Sequence, residues 1–151
     1  MSATVLAIAI PINASLGQKP DPFFGTWVLN AAKSKYEGTA LRSGTRTYSP
    51  APNGYKYSTD VIDATGRKQH VEFTTAFDGK YHALTGSPNS DSIMVKRVNA
   101  STVESTQKRG AVVVIRTTRT VSKDGRTMTS TAKGTTPDGR AYTNVEVFEK
   151  K

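Results

Sequence analysis

Residues 115–134 read IRTTRTVSKDGRTMTSTAKG. Two alternating runs flank Asp124-Gly125, a dipeptide that favours tight hairpin turns. Taken as a two-residue turn, it pairs Val121 with Met128, Arg119 with Ser130, Thr117 with Ala132 and Ile115 with Gly134. Side chains alternate faces along a strand, so these residues share one face. All of them are apolar or small except Arg119. The other face holds Arg116, Thr118, Thr120, Thr127, Thr129, Thr131 and Lys133, which suits water. Arg119 is therefore expected to point inward, where a lone guanidinium is costly unless something pairs with it.

The same grammar extends along the chain. Turn signals stand at Asn53-Gly54, Thr65-Gly66, Asp78-Gly79 and Asp138-Gly139. Between them we read ten short strands, at about 24–30, 44–49, 55–63, 67–77, 80–84, 92–98, 102–108, 112–121, 126–134 and 141–149. Long stretches with the 3.6-residue helical period are missing. Hairpins joined in sequence form a meander, and closing it into a tube removes exposed edges. The expected fold is all-β: a single antiparallel up-and-down β-barrel of about ten strands over residues 19–151. Residues 31–43 are the main irregular stretch, a loop or a short helical turn over one mouth.

The turn at Asn53-Gly54 places Arg46, Tyr48, Tyr55, Tyr57, Thr59 and Val61 on one face, expected inward. A tight Asp78-Gly79 turn sets Phe73, Thr75 and Phe77 beside Lys80, His82 and Leu84. The expected cavity has an apolar body of Phe73, Phe77, Leu84, Val121 and Met128. Its polar anchors are Arg46, Tyr48, Tyr57, His82 and Arg119, with Ser130 beside Arg119. In the alternative reading, Arg46 and Arg119 sit at the rims and reach water.

At 151 residues the chain suits one domain, and its 36 % hydrophobic content is ordinary for an all-β protein. It has no cysteine, so disulfides, thiolate metal sites and thiol nucleophiles are excluded. The formal net charge is +9. The basic residues are dispersed singly, without a basic arm or nucleic-acid motif, so no nucleic-acid partner is expected. Val5–Ile12 is an apolar run too short to span a bilayer, and Ser15-Leu16-Gly17 offers a small-x-small cleavage site. No positive region precedes the run. Residues 1–18 read as the end of a signal peptide, disordered or cleaved, or as an N-terminal arm. The first reading implies a periplasmic or secreted protein; otherwise a cytoplasmic one is expected.

Reaction chemistry is sparse. His70 and Glu72 share a strand face, but the register puts His82 on the opposite one, so no metal site is expected. No nucleophile elbow, phosphate loop or dinucleotide fingerprint occurs, and no cofactor is expected.

The motifs also carry a resemblance. Gly25-Thr26-Trp27 resembles the G-x-W element of lipocalins, whose tryptophan closes one barrel end against a basic side chain. The strand count and terminal Val147-Phe148-Glu149-Lys150 are similar to fatty-acid-binding proteins. Gly25–Asn30, Ser122–Thr127 and Gly134–Gly139 together resemble bacterial exported lipocalin-like (calycin) proteins. This resemblance implies a carrier of a small hydrophobic or amphipathic ligand, with an inward Arg119 holding a carboxylate. The lid helices of fatty-acid-binding proteins have no counterpart in residues 31–43. The last hairpin stays open: a tight Asp138-Gly139 turn points Val145 and Val147 inward, whereas the family alignment points Glu146 and Phe148 inward. If Glu146 is inward, it is a candidate to neutralise Arg119. Two rival functions remain: an enzyme using His82 with a Tyr or Arg as acid–base pair, and a structural module working through its basic surface.

Overall fold

A computed structural model describes residues 19–151. The expected signal peptide or arm lies outside the described residues. Eleven strands run β1 (Gly25–Leu29), β2 (Lys35–Tyr36), β3 (Leu41–Ala51), β4 (Gly54–Asp63), β5 (Lys68–Thr75), β6 (His82–Ala83), β7 (Ser92–Asn99), β8 (Thr102–Arg109), β9 (Val112–Val121), β10 (Thr127–Thr135) and β11 (Ala141–Lys150). All pairings are antiparallel, in the order β5-β4-β3-β1-β11-β10-β9-β8-β7-β6. The sheet curls into a nearly closed barrel. Its seam between β5 and β6 is held by two backbone hydrogen bonds of 3.0 Å, exchanged by Glu72 and Thr85. Among the described residues there is no α-helix, and none that could cross a membrane.

Ten of the eleven strands are those read from the sequence. The eleventh, β2, lies in the stretch 31–43, after a 3-10 turn at Ala31–Lys33. Asn30 caps that turn by accepting from the Lys33 amide. β2 then pairs with Asn144 and Val145 of β11, filling the space beyond the end of β1.

Turn geometry decides the inner wall. Around Asp124-Gly125 the pairs Val121–Met128, Arg119–Ser130, Thr117–Ala132 and Ile115–Gly134 all form as read. At the β3–β4 turn the pairing is shifted by two, with Tyr48 opposite Tyr57 and Arg46 opposite Thr59. A shift of two preserves faces, so this inward set also stands.

Two turns depart from the tight-turn reading. Pro137-Asp138-Gly139 forms a three-residue loop: the Gly139 amide donates to Thr136 O (2.9 Å) and Thr136 N donates to Arg140 O (2.8 Å). Gly139 takes φ +88°, the left-handed position that closes such loops. Its odd loop length flips β11, so Glu146 and Phe148 face inward, opposite Ser130 and Met128, and Val145 and Val147 face outward. At Asp78-Gly79 there is no two-residue hairpin. β5 ends at Thr75, and β6 begins only at His82. The expected pairing of Thr75 with His82 is therefore corrected.

One end is plugged. Phe23, Trp27, Tyr48, Tyr55, Val103, Val121, Met128 and Phe148 are buried together there. The Trp27 indole donates to Phe23 O at 2.8 Å, and the Lys150 ammonium lies 4.9 Å from its ring centre. Tyr48 meets Tyr55 and Tyr57 edge-on at 5.0 and 5.1 Å, an arrangement favoured by ring quadrupoles. The described residues thus contain the basic side chain expected against Trp27.

The seam has one tight backbone requirement. Gly86 has φ +83°, and a Cβ there would lie 1.8 Å from His70 O. Gly86→Ala should destabilise the fold by about 2 kcal/mol or more in urea titration. Hydrogen exchange should speed first at the Glu72 and Thr85 amides. Unchanged exchange there would show that the seam does not depend on this contact.

Candidate functional site

Above the plug the barrel is open inside. A cavity of about 870 Å³ occupies its upper half. Its floor and walls carry Arg46, Tyr57, Thr59, Phe73, Thr117, Arg119, Ser130 and Glu146, and Val71 and Leu84 lie near the seam. Its mouth lies where the β4–β5, β8–β9 and β10–β11 turns converge with residues 38–41 and 87–89.

Six of the sequence-expected site residues line this cavity: Arg46, Tyr57, Phe73, Leu84, Arg119 and Ser130. Tyr48 and Met128 are buried but sit in the plug, where the Tyr48 hydroxyl reaches Met128 Sδ at 3.8 Å. Val121 belongs to the same plug. The expected apolar body is thus divided: Phe73 and Leu84 reach the cavity, while Val121 and Met128 close its far end.

Phe77 and His82 are corrections. Both were expected inward on the strength of a tight turn that does not form. Phe77 sits in the 76–81 loop at φ +52°, edge-on to Tyr55 (5.3 Å) and under the Arg97 guanidinium (4.5 Å). His82 does not line the cavity, and its Nε2 lies 2.9 Å from both Asp78 carboxylate oxygens. That hydrogen bond is the main reason the Asp78 carboxyl titrates below its usual range. His70 lies on the outer wall between Asp60 (2.7 Å) and Glu72 (3.0 Å). Its pKa is raised, chiefly by the hydrogen bond to Asp60 and next by that to Glu72.

The electrostatics of the floor rest on three groups. Arg46 and Arg119 are each only 6 % exposed, so neither sits at a rim. Glu146 is the residue the β10–β11 turn left undecided. It faces inward and pairs with Arg46, not with Arg119. The Arg46 guanidinium also stacks 3.9 Å from the Phe148 ring centre. Burial works against the Arg46 charge, but the oxygens of Tyr57, Glu146 and Tyr48 outweigh it, and its pKa stands above the ordinary value.

Arg119 has no carboxylate. Its Nη1 donates a long hydrogen bond to Ser105 Oγ (3.4 Å), its carbon lies 5.7 Å from the Tyr57 ring centre, and no protein group accepts from Nε. Two buried cations and one partly buried carboxylate leave the floor one positive charge in excess. Burial pushes the Tyr36 and Tyr48 phenols up to about 12.

At the mouth, Asp63 organises the β4–β5 turn. Its carboxylate accepts from Thr65 Oγ1 (2.6 Å), the Thr65 and Arg67 amides, and Arg67 Nε (3.2 Å). The Thr65 hydroxyl is the largest cause of its lowered pKa.

In the comparisons, no family model and no curated protein matches the sequence. Among solved structures the chain is similar to zebrafish ileal bile acid-binding protein, crystallised with cholic acid. The TM-score is 0.51 with 10 % identity, over 86 % of this chain and 99 % of that one. At that identity the likeness establishes a calycin-like barrel fold.

Glu146→Gln should cost about 3 kcal/mol in chemical denaturation, because it strands the buried Arg46 charge. An equal loss in Arg46→Met and in the double variant would show one shared interaction; additive losses would show that the pair is not coupled. Asp63 carries a pH signature. Its folded pKa is depressed, so its contribution is present above the unfolded value of about 4 and is lost as pH falls through the folded value. Acid titration of Asp63→Asn should therefore be flatter below about pH 4 than that of the parent.

Proposed function

We propose that this barrel reversibly binds a small amphipathic molecule bearing an anionic group. The anion sits on Arg119, and the apolar part lies against Phe73, Val71 and Leu84. The observation that carries this reading is the unpaired, buried Arg119 guanidinium at the floor of an 870 Å³ cavity. That volume falls within the few hundred to about 1,000 Å³ of small-molecule sites. Each 100 Å² of ligand apolar surface buried would contribute about 2.5 kcal/mol.

The zebrafish neighbour, a bile acid-binding protein, supports the reading by analogy of fold. Glu146 neutralises Arg46 and leaves one buried cation, Arg119, for the ligand. The enzyme alternative lacks its base, since His82 lies outside the cavity. The structural-module alternative needs a filled tube, which the open upper half opposes. Export is part of the same reading and is supported by Val5–Ile12 and Ser15-Leu16-Gly17 alone.

Native mass spectrometry of protein purified from its own host tests the reading most directly, by the mass of what co-purifies. In vitro, the anionic fluorophore anilinonaphthalene sulfonate should bind with enhanced emission. Arg119→Met should weaken it about 10- to 100-fold, the worth of a charged hydrogen bond. Arg116→Met, on the outer face of the same strand, should leave it unchanged. Full affinity in Arg119→Met would remove this residue from the site.

A further inference from the structure

The β8–β9 hairpin breaks the alternation that governs the rest of the barrel. Val112-Val113-Val114-Ile115 are four consecutive apolar residues at its tip, after Gly110 and Ala111. A β-bulge explains how they fit: Lys108 pairs with Val113 and Gln107 with Ile115, which leaves Val114 unpaired. None of the four is buried. Val112 is 64 % exposed and Val113 36 %, and all four line the mouth of the cavity.

Cations surround this tip. Arg109 and Arg116 bracket the run in sequence, Arg140 stands across the mouth on the β10–β11 hairpin, and Lys133 lies beside Val113 and Arg116 in an outer groove. None of the four is in an ion pair among the described residues. Arg109 is anchored through its guanidinium to Pro88 O at 3.0 and 3.1 Å, which fixes the hairpin against the 85–91 loop. The carboxylates at this end keep their charge but are held in local hydrogen bonds, Asp63 with its own turn, Asp91 with the Gly110 amide, Glu37 with the Thr143 amide and Asp138 with Thr136, so none is paired with these four cations.

An exposed apolar tip ringed by unpaired cations matches one kind of surface, an anionic lipid bilayer. The valines suit the acyl boundary and the arginines suit the headgroup phosphates. A nucleic acid would leave the valines in water.

We propose that the mouth of this barrel docks on anionic membranes, with the Val112–Val113 tip inserted at the interface and Arg109, Arg116, Lys133 and Arg140 on the headgroups. Docking would turn the cavity opening toward the bilayer. The inference goes beyond ligand binding and does not require it, because docking can be read on the empty barrel.

The test is co-sedimentation of the full chain with vesicles of phosphatidylcholine, alone or mixed with phosphatidylglycerol. Binding is expected only to the mixed vesicles, weakening as salt rises. Val112→Ser/Val113→Ser should reduce it at least about tenfold. Arg116→Gln and Arg140→Gln should each reduce it about fivefold. Val98→Ser should change nothing, because this 52 % exposed valine sits at the plugged end. The chain lacks cysteine, so Ala111→Cys accepts a single environment-sensitive dye, whose emission should shift to the blue on mixed vesicles. A near-ultraviolet circular dichroism spectrum and a urea midpoint matching those of the parent show that the serine double variant is folded. The proposal is overturned if the parent ignores mixed vesicles or if the serine double variant binds them as well as the parent. It is equally overturned if the valines instead drive self-association in sedimentation velocity.

Discussion

Everything inside this barrel depends on the parity of its hairpin turns. A strand has a side-chain period of two, so one residue more or less in a turn exchanges the faces of the next strand. The β9–β10 turn has the parity that keeps Arg119 and Ser130 inside. The β10–β11 turn has one residue fewer between its closing pair, and it brings Glu146 in beside them. With the opposite parity, Val145 and Val147 would enter the tube, and Arg46 would be buried with no carboxylate within reach. The buried ion pair is thus a consequence of where Gly139 adopts its left-handed φ.

That pair governs the character of the cavity. A buried guanidinium is tolerable only with a partner, and Glu146 serves Arg46 alone. Arg119 is left with the Ser105 hydroxyl and the face of Tyr57. The aromatic plug does complementary work: by filling the Trp27 end it confines free volume to the half of the barrel that holds the charge. Apolar surface and cation then border one space, which is what an amphipathic occupant requires.

The all-β class, ten of the strands and most of the inner wall were legible because alternation and Asp-Gly or Asn-Gly turns encode them locally. Even where the β3–β4 register was misjudged by two residues, Arg46, Tyr48 and Tyr57 stayed on the correct face, since an even slip is harmless. Where the facing of a strand or loop differs from expectation, turn length is the reason. Ser122-Lys123-Asp124-Gly125-Arg126 and Thr136-Pro137-Asp138-Gly139-Arg140 share Asp-Gly-Arg, yet they close with different residues. The dipeptide does not encode that difference; Pro137, preset for the first corner of such a turn, was the available hint. At Asp78-Gly79 the chain passes to a two-residue β6 at the seam, so the expected inward positions of Phe77 and His82 rested on a hairpin with too few partners to form. β2 was invisible because two residues carry no period.

The seam and the mouth show how one sheet supports both closure and access. A meander that closes fully has no edge but also no route inward. Here β5 and β6 meet through a single pair of backbone bonds, and the three turns at the mouth border the opening without filling it. One of the hairpins at that opening also abandons alternation, placing Val112 and Val113 side by side in the sequence and both exposed. Threonine at those positions would hold the strand equally well, since β-branching is shared. The stability of the sheet therefore does not account for Val112 and Val113 at this exposed tip, and the docking proposed above does.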